Sequence, residues 1–257
     1  MRLTVLGGAA AGGNTGQGCS GYLVESGSTR VVLDLGPGTL PELRRHVDYR
    51  ALAGVVVSHV HLDHVLDLLA LRFALAYNPR PAPRPLQLWM PPGGLAFLSG
   101  AAAAFAAPGE EERFFAEQFD VSEYDPSRPL RIGGLSIAFA PTTHFVPCWA
   151  TRVEGGDGAV LTYTADTGPA ADLAAFAAGS GVLVAEANDV DPTPDRPENR
   201  GHMTAAEAGD LARRAGAGRL VLAHLWEENG LPLSRAQAAR AFPGPIEIAR
   251  PGLRLSW

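Results

Sequence analysis

The sequence contains no lysine, so all 21 of its basic residues are arginines. A Schiff-base lysine and the lysine of a phosphate-binding P-loop are therefore both missing. Their absence excludes pyridoxal enzymes, lysine-dependent aldolases and ordinary P-loop NTPases. Acidic residues outnumber the arginines 27 to 21, so the net charge is −6 at pH 7. Such a balance provides no broad electrostatic attraction for nucleic acid or for an anionic membrane.

Cysteines and long apolar segments are also scarce. The two cysteines, Cys19 and Cys148, are too few for a disulfide framework. The start MRLTVLGGAA lacks the basic region and the long apolar run of a secretory signal. No apolar stretch reaches membrane-spanning length without an interruption by Gly, Pro or charge. We therefore expect a cytoplasmic protein without a membrane partner.

The length is compatible with one large domain that spans residues 1–257. Strand-like runs recur in the first half and the middle, and the Gly133-Gly134 pair and the segment GGDG (155–158) are typical of hairpin turns. Capping boxes at Thr204 and Ser234 mark two helix starts. Helices are predicted over 64–76, 93–106, 170–178, 204–215 and 234–241. An α+β fold with four layers, αββα, fits this pattern of elements.

The segment SHVHLDH (58–64) follows a short apolar run and holds three of the chain's seven histidines. His59 and His61 are two residues apart, so in extended backbone their side chains point to the same side. Asp63 and His64 follow where the chain turns into a predicted helix. Imidazole and carboxylate together suit zinc, and also manganese or iron, whereas a cysteine-rich set would suggest a closed structural zinc site. The segment therefore predicts a metal site.

Three more ligand-type residues stand at the ends of predicted strands: His144 after LSIAFAPTT, Asp166 after LTYTA and His224 after LVLA. Any one of them alone is equally well explained by a helix cap or by a hydrogen bond in the core. Together with the 58–64 segment, they indicate ligands that converge from several strand ends.

These motifs, SHVHLDH, PTTH, TYTADTG and LAHL in that order, together with the LDLGPGT turn at Asp34, resemble the metallo-β-lactamase fold superfamily over about residues 33–225. The resemblance implies a four-layer αββα sandwich that holds two divalent metal ions, zinc above all. An aspartate at position 166 is similar to the binuclear hydrolases and unlike true β-lactamases. The implied ligands are His59, His61 and His144 for one ion, Asp63, His64 and His224 for the other, and Asp166 for both.

The segments VAEAND and GHMTAAEAG resemble the ribonuclease Z and small phosphodiesterase branch. In that branch a histidine ahead of a capped helix donates a proton to the leaving oxygen, and a glutamate orients it. The catalytic residues implied here are His202, Glu186 and Asp63, with attack by a hydroxide shared between the two ions and His202 as general acid. The alternatives are a bond from His202 to the loop carbonyls near Arg200, and an ordinary strand-end carboxylate at Glu186.

Ribonuclease Z proper carries a long basic arm between the equivalents of His144 and Asp166, and here only 21 residues separate the two. Without an arm or lysine, precursor-tRNA cleavage would lack the phosphate contacts that dominate RNA affinity, so a large RNA partner is not expected. We therefore favour hydrolysis of small or cyclic phosphodiesters such as cyclic nucleotides. The alternatives are a ribonuclease Z-like endonuclease, a lactonase or thioesterase of the same fold, and a metal-binding protein without turnover.

Two further features have no motif that defines their role. Four loop arginines are either phosphate clamps or solvated surface: Arg80, Arg84, Arg152 and Arg200. The segments YNPRPAPRP (77–85) and GEEERFFAEQF (109–119) are candidates for a rim or lid over the site. They are equally candidates for a homodimer contact through Phe114 and Phe115.

Overall fold

A computed structural model describes residues 1–257, and the strands form two seven-stranded sheets. The first sheet contains β1 (Arg2–Gly7), β2 (Gly21–Ser26), β3 (Thr29–Leu35), β4 (Gly54–Val56), β5 (Leu86–Met90), β6 (Phe119–Glu123) and β14 (Arg254–Ser256). Its order is β14-β1-β2-β3-β4-β5-β6. The pairs from β14 to β3 are antiparallel and those from β3 to β6 are parallel.

The second sheet contains β7 (Leu130–Ile132), β8 (Leu135–Pro141), β9 (Trp149–Gly155), β10 (Val160–Tyr163), β11 (Val182–Glu186), β12 (Leu220–Ala223) and β13 (Ile246–Ile248). Its order is β13-β12-β11-β10-β9-β8-β7. The strands from β7 to β10 pair antiparallel, and the two predicted hairpins join β7 to β8 and β9 to β10. The strands from β10 to β13 pair parallel.

The helices flank these sheets. They are α1 (Thr39–His46), α2 (Leu62–Val65), α3 (Asp67–Tyr77), α4 (Gly94–Phe105), α5 (Glu111–Ala116), α6 (Ala205–Arg214) and α7 (Leu231–Ala241). Short 3-10 turns lie at Tyr49–Ala51, Pro197–Asn199 and Glu227–Asn229. None of the helices has the length and apolar character needed to cross a bilayer.

Alternation along the strands divides the apolar side chains among three cores. In β2, Tyr22 and Val24 face the core between the sheets, whereas Leu23 packs toward the helices of the first sheet. In β11, Val184 faces the core between the sheets and Leu183 packs with α6 and α7. Successive strand residues point to opposite faces, so each sheet is buried on both sides. The predicted α+β sandwich with four layers, αββα, is confirmed.

The helix predicted over 170–178 is wrong. These residues form bends and turns instead. The Arg152 guanidinium donates to the carbonyl oxygens of Phe176 at 3.1 Å and Ala178 at 2.8 Å. Carbonyl groups that are satisfied by this side chain need no helical partner. The helix predicted over 64–76 is present in two pieces, because α2 ends at Val65 and α3 begins at Asp67.

One of the two predicted capping boxes is present. Thr204 Oγ1 accepts a hydrogen bond from Glu207 N, and the Glu207 carboxylate accepts one from Thr204 N at 2.8 Å. The box predicted at Ser234 is wrong, because α7 begins at Leu231, directly after Gly230 with φ 83°. Ser234 therefore lies inside the helix and is buried.

Phe114 and Phe115, proposed for a dimer contact, are buried within the chain. They are 4% and 6% exposed and pack in the core between the first sheet and its helices. Phe114 also packs under the Arg72 guanidinium, 4.2 Å from its ring centroid, and Arg72 Nε donates to the Phe114 carbonyl at 2.8 Å. A homodimer stays a prediction, but these two side chains no longer support it.

Candidate metal centre

The predicted ligands converge from both sheets. One group of residues follows β4 and enters α2, and the others come after strands of the second sheet. In chain order they are His59, His61, Asp63 and His64, then His144 after β8, Asp166 after β10 and His224 directly after β12.

Close backbone packing holds α2 in place. A Cβ atom on Gly36 would lie 1.9 Å from the Asp63 carbonyl oxygen, so only glycine lets the loop after β3 approach α2 this closely. The same carbonyl accepts a hydrogen bond from Ser20 N at 3.2 Å. Asp63 and His64 are therefore positioned by the first sheet, and not by α2 alone.

The first ligand group contains His59, His61, His144 and Asp166. His144 Nε2 lies 3.0 Å from His61 Nδ1 and 3.7 Å from Asp166 Oδ2. His59 Nε2 also lies 3.7 Å from Asp166 Oδ2. The donor atoms of all four side chains therefore surround one point.

The second ligand group contains Asp63, His64, Asp166 and His224. His224 Nε2 lies 3.0 Å from Asp63 Oδ2 and 3.3 Å from Asp166 Oδ2. His64 Nε2 lies 3.3 Å from Asp166 Oδ1. The Asp166 carboxylate therefore belongs to both groups, as the resemblance implied.

Three of these donor atoms are buried without a hydrogen-bond partner: His59 Nε2, His64 Nε2 and Asp166 Oδ1. A buried polar atom without a partner costs about 1–3 kcal/mol. Here the three atoms point into the two ligand groups, and imidazole nitrogen with carboxylate oxygen is a donor set for divalent transition metals. The residues present therefore fit metal binding.

The opposite ring nitrogens of three of these histidines are held by the protein. His64 Nδ1 lies 2.8 Å from Asp34 Oδ2, and His59 Nδ1 lies 3.0 Å from Ser58 Oγ. His144 Nδ1 donates to the Gly201 carbonyl at 2.9 Å. Partners of this kind fix the tautomer and the orientation of the ring and leave Nε2 free to bind a metal.

The cluster shifts the pKa values of its members in opposite directions. Burial and the neighbouring His64 hold the pKa of His59 well below its usual range, and burial lowers the pKa of His144 to about 4. Burial raises the pKa of Asp166, but His224 and His64 outweigh it and hold that pKa well below its usual range. His64 differs, because the surrounding carboxylates raise its pKa well above the usual range despite burial. Neutral imidazoles and ionised carboxylates are the forms that bind metal. Binding would therefore displace the proton from Nε2 of His64 and leave the one on Nδ1 beside Asp34.

Asp34 is a residue of the centre whose role the sequence analysis missed. It is fully buried, and besides His64 it accepts hydrogen bonds from Ser58 N at 2.7 Å, Ser58 Oγ at 2.7 Å and Tyr163 OH at 2.9 Å. Its φ of 56° lies in the left-handed region. The available signal was a carboxylate at the end of a buried strand, but nothing in the sequence identified its partners.

Asp34→Asn is expected to lower metal affinity about 10–100-fold, the range typical of residues that orient metal ligands. Asparagine keeps the shape of the side chain but removes the charge that holds a proton on His64 Nδ1. Competition for Zn²⁺ against a chelator measures the change, with Asp120→Asn, at an exposed position of β6, as the matched control. Wild-type affinity in Asp34→Asn would contradict this role.

His202 and Glu186 form a pair beside the ligand groups. Glu186 is 1% exposed, and its Oε1 accepts hydrogen bonds from His202 Nδ1 at 2.9 Å and Thr167 N at 2.7 Å. The rings of His202 and His224 are stacked, with centroids 5.3 Å apart. Burial lowers the pKa of His202, but Glu186 outweighs it and raises that pKa to about 9. The predicted contact is present, and the roles of the two residues stay a prediction.

Five of the seven proposed ligands and His202 line an open cavity of about 430 Å³; the five are His61, Asp63, His144, Asp166 and His224. Its other lining residues are Ala11, Leu62, Phe145, Asn188 and Trp226. None of the four candidate arginines, and no residue of 77–85 or 109–119, lies in this wall. Arg200 instead pairs with Glu207. The cavity wall therefore has no cationic side chain other than its histidines.

The fold and the ligand cluster define a metal-dependent hydrolase. A family model described as "Beta-lactamase superfamily domain" matches residues 29–225. The chain belongs to this superfamily, which confirms the predicted family and fold.

Relatives of known name agree with this class. The chain is 31% identical over 264 residues to "Probable metallo-hydrolase YhfI" of Bacillus subtilis (strain 168), with 98% of each chain covered. It is 31% identical over 254 residues to "Ribonuclease Z" of Mycobacterium sp. (strain KMS), covering 88% of this chain and 85% of the relative.

Two solved structures have the same fold. The crystal structure of the metallo-β-lactamase fold protein YhfI from Bacillus subtilis matches with a TM-score of 0.83 and 27% identity over 99% of both chains. A diphosphatase from the PhnP family matches with a TM-score of 0.74 and 19% identity, covering 100% of this chain and 97% of the other. The latter likeness is a likeness of fold alone.

Proposed function

We propose that the protein is a binuclear metal-dependent phosphodiesterase that hydrolyses small or cyclic phosphodiesters, cyclic nucleotides among them. The observation that carries the proposal is a single cavity lined by residues of both ligand groups and by His202, whose Nδ1 lies 2.9 Å from the buried Glu186 carboxylate. A relative named ribonuclease Z, 31% identical over 254 residues, supports action on phosphodiesters. A thioester would have less use for a separate proton donor, because a thiolate leaves without being protonated.

The proposal assigns one divalent ion to each ligand group. Zinc suits nitrogen and carboxylate donors best, with manganese or iron as alternatives. When bound, the two ions supply Lewis-acid stabilisation of the phosphate oxygens and activate water. The ligands would be His59, His61, His144 and Asp166 for one ion, and Asp63, His64, Asp166 and His224 for the other, with Asp63 acting in catalysis as a ligand.

Proton delivery is the contribution of His202. Hydrolysis adds water to phosphorus and breaks the bond to the leaving oxygen, which needs a proton. Because Glu186 engages Nδ1 of His202, Nε2 is the nitrogen that can donate this proton. Glu186 also accepts hydrogen bonds from the backbone N–H groups of Thr167 and Asn188, so we assign it as a positioning residue for His202.

The cavity supports a small substrate and not a large RNA. Its volume is about 430 Å³, and no arginine lines it. Between His144 and Asp166 the chain forms the β9–β10 hairpin. An RNA body would need phosphate contacts beyond the reacting group, and the wall of this cavity offers none.

The test is hydrolysis by the purified protein, with bound metal counted in the same sample. The substrates are bis(p-nitrophenyl) phosphate, 2′,3′- and 3′,5′-cyclic nucleotides, a precursor tRNA, a lactone and a thioester. We expect two metal ions per chain and turnover of the small phosphodiesters. Turnover of the lactone or thioester alone would favour that hydrolase class, and cleavage of the tRNA alone would favour a ribonuclease. Bound metal without any turnover would favour a binding protein.

A further inference from the structure

Phe145 is a strongly exposed aromatic residue in the wall of the metal cavity. Its side chain is 69% exposed. Its ring centroid lies 5.2 Å from that of His144 and 5.9 Å from that of His202. An apolar ring that stays in water beside a proposed ligand and a proposed proton donor is available to a substrate.

Gly201 gives this ring a defined position. A Cβ atom on Gly201 would lie 2.6 Å from Cε2 and 2.7 Å from Cζ of Phe145, so the ring rests on backbone that no side chain covers. The Gly201 carbonyl also accepts the hydrogen bond from His144 Nδ1 at 2.9 Å. One edge of the Phe145 ring is therefore supported by the segment that carries His202, while most of its surface stays open.

The rest of the wall is apolar or neutral outside the proposed catalytic groups. Leu62 is 60% exposed, and Trp226 has its Nε1 engaged with Asn188 Oδ1 at 2.8 Å. No arginine in this wall can bind a second phosphate. The part of the substrate beyond the reacting phosphate therefore meets aromatic and aliphatic surface and not charge.

We propose that Phe145 determines substrate specificity by stacking on a planar ring of the substrate, a nucleobase above all. This inference rests on the proposed phosphodiesterase function and adds the chemistry of the part that is not phosphate. Aromatic rings stack with centroids about 4.5–7 Å apart. Because every base has a π-face, stacking discriminates little among bases, so purine and pyrimidine substrates are both accepted.

The test compares adenosine 2′,3′-cyclic phosphate with glycerol 1,2-cyclic phosphate, which has the same cyclic phosphate without a base. The measured quantity is kcat/KM for the adenosine substrate divided by kcat/KM for the glycerol substrate. Phe145→Ala lowers this ratio about tenfold, as expected for the loss of one stacked aromatic side chain. Most of the change is in KM for the adenosine substrate. Phe145→Trp preserves the ratio, because indole also stacks. Leu233→Ala, at an exposed apolar position on α7 outside the cavity, is the control.

The possible outcomes separate this inference from the function on which it rests. An unchanged ratio in Phe145→Ala overturns the inference, and so does an equal loss on both substrates, which indicates a structural role. Wild-type protein that cleaves both substrates equally well overturns it too and leaves the phosphodiesterase proposal standing. Wild-type protein that binds metal and cleaves neither substrate overturns both.

Discussion

Asp166→Asn is expected to leave the protein folded, to remove most of its bound metal and to reduce hydrolysis more than about 100-fold, beyond the range for residues that only orient ligands. Asp166 is the residue common to both ligand groups. Its Oδ2 lies 3.3 Å from His224 Nε2, and its Oδ1 lies 3.3 Å from His64 Nε2. Asparagine replaces one oxygen by an amide group that donates hydrogen bonds and cannot take its place as a ligand.

We expect this variant to fold because the substitution changes only the side chain and keeps the hydrogen bonds of the Asp166 backbone. Its carbonyl oxygen accepts hydrogen bonds from Thr142 Oγ1 at 2.8 Å and Cys148 Sγ at 3.4 Å. Elemental analysis and thermal unfolding measure metal content and folding. Asp172→Asn is the matched control, since that exposed carboxylate pairs with Arg214 outside the site. Wild-type metal content and activity in Asp166→Asn would refute a shared ligand at this position.

His202→Ala is expected to slow cleavage of phosphodiesters with alkoxide leaving groups about 10²–10⁴-fold, the contribution typical of a positioned general acid. Metal content should stay unchanged, because His202 belongs to neither of the two groups that contain Asp166. It does lie in a third group with Glu186 and His224. Loss of metal from His202→Ala would therefore identify it as a ligand instead of a proton donor.

The identity of the leaving group separates proton donation from a structural role. p-Nitrophenolate leaves without being protonated, so the loss in His202→Ala should be much smaller with bis(p-nitrophenyl) phosphate than with cyclic nucleotides. If the protein hydrolyses thioesters, that activity should be comparatively intact, because a thiolate also leaves without being protonated. His46→Ala controls for removal of an imidazole, because His46 pairs with Glu42 away from the cavity. Equal losses for both leaving groups would count against the general acid.

Much of the candidate centre could be predicted from sequence because local geometry governs it. In SHVHLDH the spacing of His59 and His61 brings both side chains to one side, and the turn into α2 adds Asp63 and His64. The resemblance then supplied the assignment of His144, Asp166 and His224 to the two proposed metal ions. The structure brings these residues together because each lies at or just beyond a strand end, and the strand ends meet in the sandwich. Their role as metal ligands stays a prediction.

Contacts between distant parts of the chain were not predictable in the same way. Asp34 contacts His64, which is 30 residues further along the chain, and the Gly201 carbonyl contacts His144, which is 57 residues earlier. Arg152 satisfies carbonyl oxygens that a helix over 170–178 would have used. Hydrophobic periodicity and capping signals describe a residue's own neighbourhood, so they do not indicate which remote group it will meet.

The sequence by itself determined the layered α+β architecture and the types of donor available for metal, since strand alternation and histidine spacing depend on local backbone geometry. Tertiary structure alone decided which side chains are buried and which distant groups they contact. It buried Phe114 and Phe115 and left Phe145 open, although all three are phenylalanines. The reason is that exposure and hydrogen-bond partners depend on how the sheets and helices pack against one another, which no short stretch of sequence specifies.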